Sequence, residues 1–288
     1  ASSQVDGKLK AAIRIAHHNI SRFHKQGLRK GWSGRNAQGA RVGEKFDPFR
    51  RVGVYIPGGT APLVSTALMT VTLAKVAGCR EIVVCTPCGQ DRAVNPGLLH
   101  AAKVAGATEI YRVGGAHAIA ALAHGTGTIG RVQKIFGPGN AYVVAAKRLL
   151  FGQVAIDLLP GPSELLVLAD GTANPGWAAA DLLAQAEHGS GHERCWLVST
   201  SSKVLKTVER EIERQLPERS RRKYIQKALK RNGWLIHVKS QAQVIELANR
   251  LAPEHCEVML KNVKSVSKQI TTAGSLFLGN HSPTVLGD

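Results

Sequence analysis

Short apolar runs alternate with longer Ala- and Leu-rich stretches along the chain from residue 51 onward. Five runs in the first half are each followed by Gly or Pro or end in it: RVGVYIP, EIVVCTP, EIYRVGG, VQKIFGPG and VAIDLLPG. The stretches between them are long enough for helices and lie at 64–77, 95–105, 116–124 and 140–151. Continuous apolar strands separated by helices indicate βαβ units with a buried parallel sheet.

A second series with the same alternation follows. Its predicted strands are ELLVLAD, RCWLVST, GWLIHV, CEVMLK and GSLFLG, and its predicted helices lie at 175–188, 202–214, 219–231 and 240–251. The pattern therefore predicts an α/β fold of two doubly wound (Rossmann-like) parallel-sheet domains with an N-terminal helical arm. We assign 1–54 to the arm and a polar connection, expected to pack with the second α/β unit, 55–163 to the first domain and 164–288 to the second.

Four glycine-rich turns occur at the ends of predicted strands. They are PGG at 57–59, VGGAHA at 113–118, FGPGNAY at 136–142 and PGPSE at 160–164. Each is interpreted as a strand, a tight turn and a helix start, which lets a ligand approach the backbone. Because ligands of such sheets bind at the carboxyl ends of the strands, the turns predict a cleft there.

Composition narrows the class of protein. With 288 residues and 44% apolar content, the chain has room for two domains with real cores. No apolar run is long enough to span a bilayer, so we expect no membrane partner. Five scattered cysteines do not form a disulfide framework, and we expect a cytoplasmic protein with reduced thiols. The CTPC spacing at 85–88 lacks a second pair, which favours a structural role.

The formal charge of +18 attracts phosphates, nucleic acid or anionic lipid but does not bear on the fold. Much of it lies at 203–231, where mixed charges follow an amphipathic helical pattern. Solvated helix faces explain most such runs. Nucleic acid is therefore a possible partner but not the favoured one.

Two short stretches carry candidate chemistry. In DLLAQAEHGSGHE, Asp181, Gln185 and His188 are spaced to lie on one helical face, which is either a solvated surface or the wall of a site. In APEHCEV, Glu254 and His255 adjoin just before a strand. A carboxylate beside an imidazole can act as a general acid/base pair, although isolated Glu-His dipeptides are also common on surfaces.

Taken together, six ordered motifs identify a resemblance. They are YIPGGTAPL, IFGPGNAYV, GPSELLVLAD, LLAQAEHG, APEHCE and AGSLFLG followed by SPTVLGD. From about Val5 to its last residue, the chain resembles histidinol dehydrogenase, a zinc enzyme. The resemblance implies a homodimer that oxidises histidinol through the aldehyde to histidine with two NAD+ in turn.

The resemblance also implies roles for matching residues. Gln185, His188 and Asp288 correspond to ligands of the catalytic zinc. Glu254 and His255 match the catalytic pair: His255 takes the hydroxyl proton, and Glu254 activates water for attack on the aldehyde. Gln is a poor zinc ligand, which suits an exchangeable catalytic site better than a closed structural one.

Further matches concern the cofactor and the substrate. The residues expected to contact NAD are Tyr55, His117 and Asn140. Substrate contacts are expected from Ser163 and, with the zinc, from Gln185, His188, His255 and Asp288. Holding the aldehyde in one site protects a reactive intermediate.

Two features depart from the family pattern. His117 stands where the family has a Gln, and an imidazole still forms hydrogen bonds. The family continues past LGD with a segment that supplies another zinc-binding His and a substrate contact, whereas the printed sequence ends at Asp288. Two alternatives follow: a zinc/NAD dehydrogenase of another small polar alcohol, or a degenerate paralogue that acts as a basic scaffold or RNA-binding protein.

Overall fold

A computed structural model of the chain describes residues 4–58 and 62–287. It divides into two compact units, Ala1–Pro160 and Gly161–Asp288. Each unit is a parallel five-stranded sheet with helices on both faces, which confirms the predicted fold class. None of the helices in the described ranges is long and apolar enough to cross a bilayer.

The first unit is built on a parallel sheet of order β5-β4-β3-β6-β7. Its strands are β3 (Arg51–Tyr55), β4 (Glu81–Cys85), β5 (Glu109–Tyr111), β6 (Lys134–Phe136) and β7 (Ala155–Ile156). Its helices are α1 (Gly7–Gln26), α2 (Val64–Val76), α3 (Pro96–Ala105), α4 (Gly115–His124) and α5 (Ala141–Leu150). Alternate residues along the strands point to opposite faces of the sheet and pack in two separate apolar clusters, one on each face.

Arg51 joins the amino ends of three strands in this sheet. Its guanidinium lies 2.6 Å from the carboxylate of Glu109 on β5 and 2.7 Å from that of Glu81 on β4. Partly buried, bidentate pairs of this kind are stronger than single exposed ones. The network fixes the edge of the sheet opposite the glycine-rich turns.

Helix α1 of the N-terminal arm packs against other helices of the first unit. Asp6 caps α1 by accepting from the amides of Lys8 and Leu9. The single buried side chain of α1, Ile13, belongs to the apolar cluster of the first unit, and α1 lies against α2 and α3. Helix α1 thus packs on the helices that cover one face of the first sheet. The expected packing of the arm with the second α/β unit stays a prediction.

The polar connection contains a hairpin that the sequence pattern did not predict. Strands β1 (Trp32–Arg35) and β2 (Arg41–Glu44) pair antiparallel, and all their residues are exposed. Asn36 closes the turn by accepting from the amides of Gln38 and Ala40. The strands bury no face, so no apolar alternation marks them.

The second unit repeats the same strand order, as β10-β9-β8-β11-β12. Its strands are β8 (Glu164–Ala169), β9 (Arg194–Ser199), β10 (Gly233–His237), β11 (His255–Met259) and β12 (Ser275–Leu278). Its helices are α6 (Pro175–Ala186), α7 (Ser202–Gln215), α8 (Arg222–Asn232), α9 (Gln241–Leu251) and the short α10 (Val263–Ser267). In both units the order reverses between the first and fourth strands.

Candidate functional site

The predicted acid/base pair lies at the amino edge of the second sheet. His255 begins β11, which pairs in parallel with β8, and Glu254 accepts from the amide of Glu164 at 3.1 Å. Ser163 immediately precedes β8 at the same edge. Glu254 thus lies just before β11, as the sequence pattern predicts, while His255 is the first residue of the strand. The turn at 160–164 leads into a strand, not a helix, so it cannot supply the strand-turn-helix site that we predicted there.

Helix α6 brings Gln185 to that edge. An Asn-Pro-Gly sequence starts the helix, with Asn174 capping it through the amide of Trp177. Because α6 follows β8 and runs back across the sheet, its carboxyl end returns to the amino edge. Gln185 is buried there, whereas His188 lies two residues beyond the helix end and is exposed. The helix ends earlier than the predicted 188.

One face of β11 carries the chemistry. His255 and Glu257 alternate with Cys256 and Val258, which point into the apolar cluster on the other face. Met259, in phase with Glu257, packs in the cluster that contains α6. The His255–Glu257 face is therefore the face covered by α6.

Three buried polar atoms in the described ranges of this unit lack a hydrogen-bond partner on or near that face: Gln185 Nε2, His255 Nδ1 and Glu257 Oε2. His255 Nδ1 lies 3.8 Å from Glu254 Oε2, which is beyond hydrogen-bond distance. Unpartnered buried groups are costly and rare, so those on Gln185 and His255 indicate a site arranged for a ligand.

A buried carboxyl pair, Asp181 with Glu257, lies behind these groups. Glu257 is 1% exposed, and its side chain is within hydrogen-bond reach of Asp181 on α6. Burial and then repulsion by Asp181 raise the pKa of Glu257 well above its usual range, and burial also raises the pKa of Asp181. Sequence reasoning quoted both residues but gave Glu257 no role. Its position two residues after His255, on the same strand face, was the available signal.

The C-terminal turn packs onto this face. Thr284 donates its amide to Glu257 Oε1 at 3.0 Å. Gly287 lies against the ring of Phe277, and that ring is 5.9 Å from the ring of His255. Asp288, the third predicted zinc ligand and a predicted substrate contact, lies outside the described residues.

The loop after His188 is held by a buried carboxylate. Glu193 is 1% exposed and accepts from the amides of Ser190 at 2.6 Å and Gly191 at 2.8 Å. Burial raises the pKa of Glu193, but the hydrogen bonds from Ser190 and Gly191 outweigh it and the net pKa is lowered. Gly191 has φ of +75°, a conformation that favours glycine.

Replacing Glu193 by Gln is expected to lower the free energy of unfolding by about 2 kcal/mol at neutral pH, because two charge-assisted bonds are weakened. A lowered native pKa gives stability that is present above the unfolded-state pKa and lost as pH falls through the native pKa. The difference between the two proteins should therefore shrink on acidification. Urea unfolding at several pH values measures it, and a pH-independent difference would contradict the assignment.

The donor set of the second unit fits a zinc ion. Gln185 contributes a buried amide, whose oxygen is the atom able to bind a metal, and His188 contributes an exposed imidazole. Nitrogen and oxygen donors with an incomplete shell are typical of exchangeable zinc sites. Among the described residues alone, no group of three His, Cys, Asp or Glu side chains could hold a metal. The predicted set contains a glutamine, and its third member, Asp288, is outside that range.

The predicted NAD residues lie at the carboxyl edge of the first sheet. Tyr55 ends β3, is buried, and its hydroxyl accepts from the amide of Gly115 at 3.0 Å. Asn140 caps α5 through the amides of Tyr142 and Val143. His117 is exposed in the first turn of α4. Two helix N-termini at one edge favour the phosphates of a dinucleotide.

A buried ion pair that the sequence did not predict holds the turn at Gly137, at this edge of the first sheet. Lys147 is fully buried and lies 2.5 Å from Asp157 Oδ1 and 2.6 Å from the carbonyl oxygen of Gly137. Asp157 also accepts from the Gly137 amide at 2.8 Å. Gly137 has φ of +113°, and a Cβ there would overlap the carbonyl oxygen of Tyr55. A lysine at the end of an amphipathic helix gives no sequence signal of burial.

Two cavities lie near the first sheet. One of about 300 Å³ opens at the carboxyl edge and is lined by loops after β3 and β4, including Gly58, Thr86 and Asn95. A larger, open cleft of about 560 Å³ lies at the opposite edge, around Gln133 and Phe151, and contains none of the predicted site residues. The smaller cavity is the one on the side of the glycine-rich turns.

The CTPC motif behaves as a structural element. Cys85 ends β4 and is buried, and burial raises the pKa of its thiol to about 12. A neutral, inaccessible thiol is a poor metal ligand and nucleophile. Cys88 is exposed.

Comparison with known proteins agrees with the motif resemblance. The family model of histidinol dehydrogenase matches residues 1–288. Histidinol dehydrogenases of a Synechococcus strain and of Bacteroides fragilis are 46% and 48% identical over the whole chain, which covers 66% and 67% of their lengths. The crystal structure of histidinol dehydrogenase from Elizabethkingia anophelis matches 99% of the chain and 66% of its own, with 40% identity and a TM-score of 0.95. The chain spans about two thirds of these relatives and belongs to the histidinol dehydrogenase family.

Proposed function

We propose that the protein is a zinc-dependent histidinol dehydrogenase that oxidises L-histidinol through L-histidinaldehyde to L-histidine with two NAD+. The observation that carries the proposal is the grouping of Gln185, Glu254 and His255 at one edge of the second sheet, with unpartnered buried atoms on Gln185 and His255. The intact acid/base pair also favours an enzyme over a degenerate scaffold.

His255 and Glu254 divide the proton chemistry. The imidazole of His255 is about one-quarter exposed, so it reaches a bound substrate while remaining shielded, and it takes the proton of the alcohol. The carboxylate of Glu254 is half exposed and next to solvent, which suits a base that activates water for attack on the aldehyde. Ser163, immediately before β8, would contact the substrate.

Gln185, His188 and Asp288 would hold the zinc ion. When bound, zinc supplies a positive charge that orients the nitrogen groups of the substrate. The buried amide of Gln185 keeps one donor fixed, and the exposed imidazole of His188 leaves access for exchange.

The carboxyl edge of the first unit would hold the dinucleotide, which supplies a hydride acceptor. Tyr55 and Asn140 are fixed by their own hydrogen bonds, and His117 adds an exposed donor or acceptor on α4. The Lys147–Asp157 pair holds the Gly137 turn in the conformation that lets a ligand approach the backbone.

The test is NADH formation from histidinol by the full-length protein, before and after chelation and after zinc is returned. Two NADH per histidinol, lost on chelation and restored by zinc, is the expected result. Turnover of another alcohol without turnover of histidinol would favour the alternative dehydrogenase. No turnover together with salt-sensitive RNA binding would favour the basic scaffold.

We also propose a homodimer in the cytoplasm. Exposed apolar side chains on α5 and just after it, Tyr142, Leu149 and Phe151, offer surface for association. All five cysteines are free, which suits a reducing compartment. Light scattering of the purified protein tests the dimer, and a monomeric mass at micromolar concentration would contradict it.

A further inference from the structure

We propose that Asp181 and Glu257 form a positioning pair, a neutral acid hydrogen-bonded to a carboxylate, that ties helix α6 to the turn Thr284–Gly287. Only the expected effect on zinc affinity rests on the proposed function; the expected effect on the turn does not. The pair joins the helix that carries Gln185 to the turn that leads into Asp288.

Glu257 contacts both helix α6 and the C-terminal turn. Glu257 is on the face of β11 that α6 covers, and its side chain reaches Asp181, one helical turn before Gln185. Its other side is occupied by the amide of Thr284, which donates to Oε1 at 3.0 Å. Glu257 thus connects three segments: β11, α6 and the C-terminal turn.

The chemistry requires a proton on one of the two groups. Two ionised carboxylates have only acceptors, so they cannot hydrogen-bond to each other. Glu257 Oε2 is buried, and as long as both groups are ionised it has no hydrogen-bond partner. A proton on Oε2 that is donated to Asp181 satisfies this atom and leaves Oε1 to accept from Thr284. The raised pKa of Glu257 agrees with this arrangement.

Two kinds of substitution separate a hydrogen-bonding role from a charge role. Glu257→Gln keeps an oxygen for the Thr284 amide and an N–H for Asp181, so it reproduces the neutral acid. Glu257→Leu has similar bulk but removes both bonds. Asp181→Asn is a second conservative variant, because its amide donates to an ionised Glu257. Val258→Ala is the matched control, since it perturbs the same strand on the opposite face.

The first readout does not depend on metal. Hydrogen exchange of the backbone amides of residues 284–287 should be at least about tenfold faster in Glu257→Leu and unchanged in Glu257→Gln, Asp181→Asn and Val258→Ala. The second readout is zinc affinity by chelator competition. The Kd should rise by about tenfold or more in Glu257→Leu, as for lost supporting contacts at metal sites, and stay near wild type in Glu257→Gln.

Two outcomes overturn the inference. Unchanged exchange in Glu257→Leu means that the turn does not depend on the pair. Equal losses in Glu257→Gln and Glu257→Leu mean that a charged carboxylate is required instead. If the wild-type protein binds no zinc, the proposed function fails, and the exchange rates still decide whether the pair holds the turn.

Discussion

Replacing His255 by Asn is expected to lower kcat for histidinol oxidation by about a thousandfold, which lies within the usual contribution of a general base. Asn has no group that takes up a proton near neutral pH, but it keeps a polar side chain at the start of β11. His255 lies against Phe277 and carries a buried Nδ1 without a partner, so the substitution removes chemistry with little loss of packing. Steady-state rates of NADH formation measure the effect.

Glu254→Gln is the matched comparison for this prediction. Its amide oxygen still accepts from the amide of Glu164, so the start of β8 keeps its contact. If Glu254 activates water, this variant slows the oxidation of supplied histidinaldehyde more than that of histidinol, and His255→Asn slows histidinol oxidation more. Equal effects of both variants on both substrates would contradict the division of roles.

Strand and helix positions were predictable because they depend on local apolar content. Nine of the ten strands of the two sheets fall within the predicted runs, and β11 begins one residue earlier, at His255. The central strands are marked most clearly, because they are almost wholly buried and therefore mainly apolar. The exposed hairpin β1–β2 was missed for the opposite reason: nothing in WSGR or RVGE marks a buried face. The helical pattern of α1 does not show which elements it packs against. In the structure Ile13 joins the apolar cluster of the first unit, and α1 lies against α2 and α3.

The location of the second-unit residues depended on topology. The strand order predicts a ligand at the carboxyl edge, where the order reverses. Yet Ser163 and Glu254 precede their strands, and the chain direction of α6 brings Gln185 to the same amino edge. The motif positions before each strand already contained this information. The general rule for parallel sheets by itself would not locate these residues.

The stripe of Asp181, Gln185 and His188 shows what spacing can and cannot establish. Spacing predicts Asp181 and Gln185 on one side of α6, and the structure brings Asp181 within reach of Glu257 on β11. It could not show that Glu257, on a strand more than seventy residues later, completes the stripe as the partner of Asp181. Such pairings depend on strand register, here Glu257 opposite Val167, which is set by the whole sheet.

Lys147→Met is expected to lower the free energy of unfolding by about 3 kcal/mol, because it leaves Asp157 without the cation that compensates its burial. The same change should raise the KM for NAD+ more than the KM for histidinol. Lys147 holds the carbonyl of Gly137, Asp157 holds its amide, and a left-handed glycine without these contacts is free to leave the turn.

Arg148→Met is the control for the loss of a positive charge on α5. Arg148 is exposed on the same helix, so its removal should change stability by less than about 0.5 kcal/mol and leave both KM values unaltered. Urea unfolding measures the stability of each variant, and initial rates at varied NAD+ and varied histidinol measure the two KM values. A stability loss in Lys147→Met with no change in KM for NAD+ would show that the pair supports the fold alone. Equal rises in both KM values would mean that the Gly137 turn does not act through the dinucleotide. The split between the two KM values is therefore the measurement that decides whether this buried ion pair belongs to the cofactor site, because a general loss of folding would affect both substrates alike.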